Sequence, residues 1–296
     1  MINTMASAAE AAPKAKNQGA AATILKRLRK NNAAMMGLTL FLILVLIAIL
    51  APLIMPYPYD KMDLSNTFSG PSAEHWFGTD DLGRDILSRI MYGGRYSLSI
   101  GLASTSFAVV IGMVIGAIAG YFGGMVDNLI MRFMDIFQAV PGLLLTIAIS
   151  AVLGSGFDKT ILALGLSQIP NYVRILRASI MSIRSVEYLE AAESINCSHS
   201  RIIMRHAVPN ALSPVIVQAT MGVANTVLTA ASLSFIGLGV QPPMPEWGAM
   251  LSGGRNYIRD YSYMVMFPGI FIMISVLALN MLGDGLRDAL DPKLKN

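Results

Sequence analysis

The sequence predicts an all-α polytopic membrane protein with six transmembrane helices. The 296-residue chain is 54% hydrophobic and only 14% charged, which is too apolar for an ordinary soluble domain. Five stretches lack Asp, Glu, Lys and Arg, and each exceeds the roughly 20 residues needed to cross a bilayer. These stretches are residues 31–59, 96–126, 136–157, 207–245 and 261–283. Since lipid cannot hydrogen-bond the backbone, uncharged runs of this length are expected to be helices.

The chain begins with a predicted cytoplasmic tail, residues 1–34, followed by the first transmembrane helix at 35–55. Six basic residues lie in this tail and indicate retention on the cytoplasmic side and contact with membrane lipids. They are Lys14, Lys16, Lys26, Arg27, Arg29 and Lys30. The apolar run of the first span is about 20 residues, longer than the core of a signal peptide, so we expect a retained anchor.

The segment 56–96 is predicted to be an extracytoplasmic loop. Apolar residues at helical spacing from Asp85 to Tyr92 indicate an interfacial helix that leads into the second span, at 97–120. Within this span Gly112, Gly116 and Gly120 recur every four residues and share one face. Small residues at this spacing are typical of close helix packing, either within this subunit or against a partner subunit.

The third and fourth spans are predicted at 131–153 and 160–183. In the fourth span only 14 uncharged positions precede Arg174, so its arginines must face protein or water at the cytoplasmic end. Asp135 lies one helical turn from Arg132, and this spacing predicts a local ion pair.

The fifth and sixth spans are predicted at 213–236 and 262–283. With the N-terminus inside, 15 basic residues lie on the cytoplasmic side and seven outside, as the positive-inside rule requires. Both termini are therefore expected in the cytoplasm, with a core domain at 97–283 and a C-terminal tail at 284–296.

Few polar side chains lie inside the predicted spans. Gln138, Gln218, Asn225 and Asn280 are candidates to line a translocation path, with hydrogen bonding between helices as the alternative. No acidic residue or histidine lies deep in a span, which argues against proton-coupled transport. The sequence lacks a Gly-Lys phosphate loop and a hydrolase nucleophile motif. We therefore predict no catalytic residue and no cofactor. Cys197, His199 and His206 lie close together in the sequence, but one thiol and two imidazoles without an acidic ligand do not predict a metal site.

A charged island at 185–210 separates the fourth and fifth spans. Ser185 to Ile195 is predicted to form one helix, and Asn196 is suited to the left-handed conformation that ends helices. A second, short helix is predicted to stop at Pro209. The island is either a solvated cytoplasmic loop or a docking site for a soluble partner.

The island resembles the EAA loop of ABC importer permeases, with Asn196 where that family typically has glycine. Four further segments are similar to the C-type membrane subunit of dipeptide, oligopeptide and nickel importers, and the closing run from Asp284 to Lys295 is similar to dipeptide permeases in particular. These segments are Gly78–Asp85, Gly120–Gly124, Gln241–Gly248 and Gly283–Pro292.

The resemblance implies a type I ABC importer transmembrane domain in a bacterial cytoplasmic (inner) membrane. It implies four partners: a second permease subunit, two ATPase subunits that bind ATP-Mg, and an extracytoplasmic substrate-binding protein. The clustering of basic residues before the first span argues against nucleic acid as a partner. The residues it assigns to ATPase coupling are Glu190, Ala191, Ala192, Asn196, Arg201, His206 and Pro209. The implied cargo is small peptides, with nickel, glutathione or another small solute as the alternative. Two alternative functions stay open: a stand-alone channel or secondary carrier, and a membrane scaffold that recruits a cytoplasmic protein.

Overall fold

The computed structural model describes residues 20–290, which are mostly helical and contain no β-strand. The helices are α1 (Ala20–Lys30), α2 (Asn32–Ile54), α3 (Ile86–Phe122), α4 (Gly124–Gln138), α5 (Gly142–Leu153), α6 (Phe157–Ile183), α7 (Glu187–Ser194), α8 (His199–Ile202), α9 (Val208–Phe235), α10 (Trp247–Gly254) and α11 (Tyr263–Leu290). A π-helical segment, Ile203–Ala207, joins α8 to α9. Residues 1–19 and 291–296 of the two predicted tails lie outside the described range.

Four helical segments are long and apolar enough to cross a membrane: α2, α3, α11 and the unit formed by α8, the π segment and α9. A fifth is the pair α4 and α5, which is bent by 85°. The structure therefore does not reproduce the predicted number of six transmembrane helices. The helix α6 has sufficient length, with 27 residues, but Asp158, Lys159 and its arginines reduce its hydropathy.

The predicted third span, 131–153, is not one continuous helix. The helix α4 ends at Gln138, and α5 begins after Pro141. Proline lacks a backbone N–H and disfavours a helical conformation at the residue before it. Pro141 therefore explains why the chain changes direction at this point.

The predicted interfacial helix is not a separate element, because α3 runs without interruption from Ile86 to Phe122. Its 37 residues correspond to about 55 Å, well beyond the thickness of a bilayer core. Asp85 caps the N-terminus by accepting a hydrogen bond from the backbone N–H of Ser88 at 2.8 Å. The second span is thus an extension of the helix that starts in the outer loop.

The helices α3 and α6 pack against each other along the predicted glycine face. Gly112 lies against Tyr172, and Gly116 lies against Val173. A Cβ atom added at Gly116 would come within 2.6 Å of the Val173 carbonyl oxygen. The glycines therefore allow close packing inside this chain, and the face they form is occupied by α6.

Two ion pairs fasten α4 to α6. Arg174 donates to the Asp135 carboxylate at 2.5 Å, and Arg177 makes a two-pronged contact with Asp127. The predicted local pair of Asp135 with Arg132 is wrong, because the partner comes from another helix. These contacts explain how α6 carries arginines beside long apolar helices, since protein carboxylates neutralise two of them.

The loop at 56–85 folds against α3, α10 and α11 on the side opposite α7. The His75 Nδ1 atom lies 2.9 Å from Asp85 Oδ1, and Arg84 Nε donates to Asp80 at 2.7 Å. The Tyr263 hydroxyl donates to the Thr79 carbonyl at 3.1 Å. The loop is therefore an ordered cap fixed by polar contacts.

The segment 241–248 is fixed to α3 through two buried side chains. Trp247 Nε1 donates to the Ile90 carbonyl at 3.0 Å. The Glu246 carboxylate accepts from Ser97 Oγ at 3.0 Å and from the backbone N–H groups of Gly248 and Ala249 at 2.9 and 2.8 Å. Burial raises the pKa of Glu246, and these donors oppose that rise. Residues of two segments that lie far apart in the sequence, 78–85 and 241–248, line the same pocket of about 220 Å³.

Candidate coupling surface and translocation face

The island between α6 and α9 is a helical hairpin that turns at Asn196. This residue has φ of +56°, the left-handed conformation expected from the sequence. The turn is closed by a hydrogen bond from the Cys197 N–H to the Ala192 carbonyl at 3.1 Å. Asparagine tolerates this conformation better than most residues other than glycine, so the replacement of glycine preserves the turn.

Adjacent alanines of α7 point in different directions. Ala192 is 6% exposed and packs in a hydrophobic cluster with Leu189, Ile202 and Ile180. Ala191 is exposed, and Ile195, one turn further on, is 76% exposed. Only Ala191 of the pair is therefore available for direct contact with another protein. The backbone of Glu190 lies in α7, whereas its side chain is outside what the structure describes.

The second helix of the hairpin does not stop at Pro209. The helix α8 continues through the π segment Ile203–Ala207 into α9, and Pro209 is the second residue of α9. In the π segment the Val208 N–H bonds to the Ile203 carbonyl, five residues back. Pro209 lacks a backbone N–H and cannot donate a hydrogen bond. Because the wider π turn lies just before Pro209, the helix continues through this residue.

We call residues 187–209 the coupling segment. Its buried side anchors it to the membrane helices, and its other side leaves large apolar side chains such as Ile195 and Met204 exposed. Arg201 and Pro209 are exposed, and His206 is half-buried. Exposed apolar side chains beside basic residues are typical of a protein interaction surface.

A contact not expected from the sequence holds the coupling segment to α3. The His199 Nδ1 atom lies 2.8 Å from the Tyr121 hydroxyl, and both rings contact Phe122. Tyr121 and His199 lie 78 residues apart in the sequence, so no local spacing predicts that the two rings meet.

Three of the four candidate path residues lie along α9 and α11, which pack side by side. Gln218 and Asn225 are two helical turns apart on α9 and therefore share a face. Asn280 of α11 lines an open pocket of about 690 Å³, and Gln218 lines a second pocket of about 460 Å³. We call this surface the α9–α11 face.

The α9–α11 face is predominantly apolar. Leu228, Phe235, Met273 and Leu277 are all substantially exposed on these two helices, and Asn225 and Ser232 lie among them. Gln138 is placed elsewhere, since α4 packs against α3 and α6. Its role in a path stays a prediction.

Two family models match the chain. Residues 112–296 match the binding-protein-dependent transport system inner membrane component family. Residues 21–71 match the N-terminal TM domain of oligopeptide transport permease C. Together the two matches cover most of the chain, and they agree with the resemblance identified from the sequence.

Similar proteins include two peptide permeases. The dipeptide transport system permease protein DppC of Alkalihalophilus pseudofirmus is 48% identical, over 92% of this chain and 89% of that protein. The di/tripeptide transport system permease protein DppC of Pseudomonas aeruginosa is 43% identical, over 90% of each chain. The glutathione transport system permease protein GsiD of Pectobacterium atrosepticum is also 43% identical, over 91% of this chain and 89% of that protein.

The fold has a counterpart among solved structures. A chain of the inward-facing MetNI methionine ABC transporter matches with a TM-score of 0.56 at 18% identity, over 70% of this chain and 98% of that chain. At this identity the similarity concerns the fold alone, which is that of a type I ABC importer transmembrane domain. The family matches and the peptide-permease relatives together establish that the chain belongs to the binding-protein-dependent permeases of ABC importers, in the permease C branch.

Proposed function

We propose that the chain is the permease subunit that forms half of the translocation path in an ATP-driven importer of small peptides. The observation that carries the proposal is the 48% identity to a dipeptide permease across 92% of the chain. The α9–α11 face supports it, because scattered amides and hydroxyls on an apolar surface offer only weak polar contacts, and a path must bind its cargo weakly enough to release it.

The proposed complex contains this chain, a second permease subunit, two ATPase subunits and an extracytoplasmic substrate-binding protein. The second permease would cover the α9–α11 face and complete the path. The ATPases would hold ATP-Mg and dock on the coupling segment. We place the complex in the bacterial cytoplasmic (inner) membrane with both termini of this chain in the cytoplasm, as its distribution of basic residues indicates.

The coupling segment is connected to the helix that carries two of the candidate path residues, so its movement would be transmitted to the path. Its buried side chains Leu189 and Ala192 attach α7 to the membrane helices, and α8 is continuous with α9 through the π segment. A force applied to α7 and α8 by the ATPases would therefore tilt α9 as a unit. Since α9 carries Gln218 and Asn225, this tilt would switch the path between inward-facing and outward-facing states.

Peptide cargo is tested by transport in proteoliposomes that contain the complete complex, with its binding protein outside and ATP inside. We expect radiolabelled dialanine to accumulate only with ATP and the binding protein, and unlabelled dipeptides to compete. Accumulation of labelled glutathione or nickel in place of dialanine would show that the cargo is another small solute. Transport by the purified single chain without ATP would refute the importer and favour a channel or secondary carrier.

A further inference from the structure

A pocket unrelated to the coupling segment lies where α1, α2 and the end of α11 meet. It has a volume of about 730 Å³ and is lined by Arg27 and Lys30 of α1, by Asn31 and Asn32, and by Gly285 and Asp288 of α11. Its walls are fixed by close packing, because Gly285 lies directly against Ala34. Six basic residues precede the first span in the sequence, and the structure places two of them in this pocket.

Between Ile24 and Lys30, the helix α1 packs on the protein through its apolar face. Ile24 and Leu28 pack against Leu286 and Ala289 of α11. The basic residues occupy the remaining face, and Lys26, Arg29 and Lys30 are exposed. Leu25 is also exposed, so an apolar side chain lies beside the cations. A basic amphipathic helix of this type is suited to the boundary between lipid headgroups and acyl chains.

The cations of α1 lack partners within the described part of the chain. None of Lys26, Arg27, Arg29 and Lys30 forms an ion pair with a residue between 20 and 290. Asp288, the carboxylate of the pocket, instead accepts from Asn31 Nδ2 at 3.3 Å. Residues 24–34 and 283–290 together contain five basic and two acidic residues, so the region carries a net positive charge.

A pocket with a net positive charge is suited to an anion, and the position of the pocket indicates which kind of anion it would bind. The apolar helix α2 begins at Asn32, and its 23 residues are just long enough to cross a bilayer core. If α2 spans the membrane, the pocket at its start lies at the depth of the lipid phosphates. We propose that this pocket binds the phosphate headgroup of an anionic phospholipid, with Arg27 and Lys30 as its cationic contacts. The site depends on α2 crossing the membrane and not on the identity of the cargo.

The proposal is tested by native mass spectrometry of the purified complex after reconstitution in phosphatidylcholine with or without phosphatidylglycerol. We expect the wild-type complex to retain phosphatidylglycerol in preference to phosphatidylcholine. The double variant R27Q/K30Q is expected to retain roughly 10- to 30-fold less phosphatidylglycerol, since each basic residue at the surface contributes about a factor of five. R27K/K30R, which keeps both charges, is expected to retain the lipid.

The matched control is K159Q/R259Q, which removes the same charge at two sites far from the pocket. Lys159 is near the start of α6, and Arg259 lies four residues before α11. This variant is expected to behave as wild type. Equal retention by R27Q/K30Q and wild type would overturn the proposal, as would the absence of a preference for phosphatidylglycerol. Displacement of the retained lipid by inorganic phosphate alone would identify a site for free phosphate and would also overturn it. This experiment does not measure dialanine transport. The proposal of a lipid site and the proposal of a peptide cargo are therefore tested independently.

Discussion

Replacing Ala191 with arginine is expected to reduce ATP-dependent uptake by the reconstituted complex at least roughly 30-fold, the loss typical of a central interface position. Ala191 lies on the exposed side of α7. A long charged side chain at this position would separate α7 from the ATPase surface proposed to cover it. The amount of the variant in the membrane and its thermal unfolding are expected to match wild type, because an exposed substitution on a helix costs little stability.

Two neighbouring substitutions separate docking from folding. Ala191→Ser keeps a small side chain and is expected to preserve uptake. Ala192→Arg inserts a charge into the cluster around Leu189 and Ile202, and is expected to lower the amount of folded protein because an unpaired buried charge is strongly destabilising. Normal uptake by Ala191→Arg would exclude this side of α7 as the ATPase contact.

Replacing Gly116 with leucine is expected to destabilise the chain by about 3 kcal/mol or more, the upper range for overpacking a well-packed contact. Even the first atom of the new side chain would come within 2.6 Å of the Val173 carbonyl oxygen. Since that neighbour is backbone, α3 and α6 must separate to make room. The unfolding midpoint of the purified protein in detergent, followed by fluorescence, is expected to fall by several degrees.

The matched control for this substitution is Gly253→Leu. Gly253 is an exposed glycine of α10 with open space where a Cβ atom would lie, so the same change there is expected to leave the midpoint nearly unchanged. If the two variants unfolded at the same temperature, the close approach of α3 and α6 at Gly116 would not contribute to stability.

Features of the chain that depend on local spacing could be predicted from the sequence. The four-residue spacing of Gly112, Gly116 and Gly120 identified a packing face, because residues so spaced always share one side of a helix. The backbone conformation of Asn196 was predictable from its residue type and its place after a helix. The uncharged runs identified a helical membrane protein because a bilayer imposes its own length requirement.

Features that depend on contacts between distant elements were not predictable in this way. Asp135 pairs with Arg174 rather than Arg132, and only the packing of α4 on α6 reveals this partner. Pro209 was expected to end a helix, whereas a π segment ahead of it lets the helix continue. The opposite orientations of Ala191 and Ala192 depend on which side of α7 meets the membrane helices.

The most direct test of the permease assignment is affinity purification of the tagged chain from mildly solubilised native membranes, with mass spectrometry of the proteins that accompany it. Our account predicts recovery of a second permease of the same family together with ATPase subunits that contain a phosphate-binding loop. Recovery of the chain alone, in a detergent that keeps comparable importers intact, would contradict it.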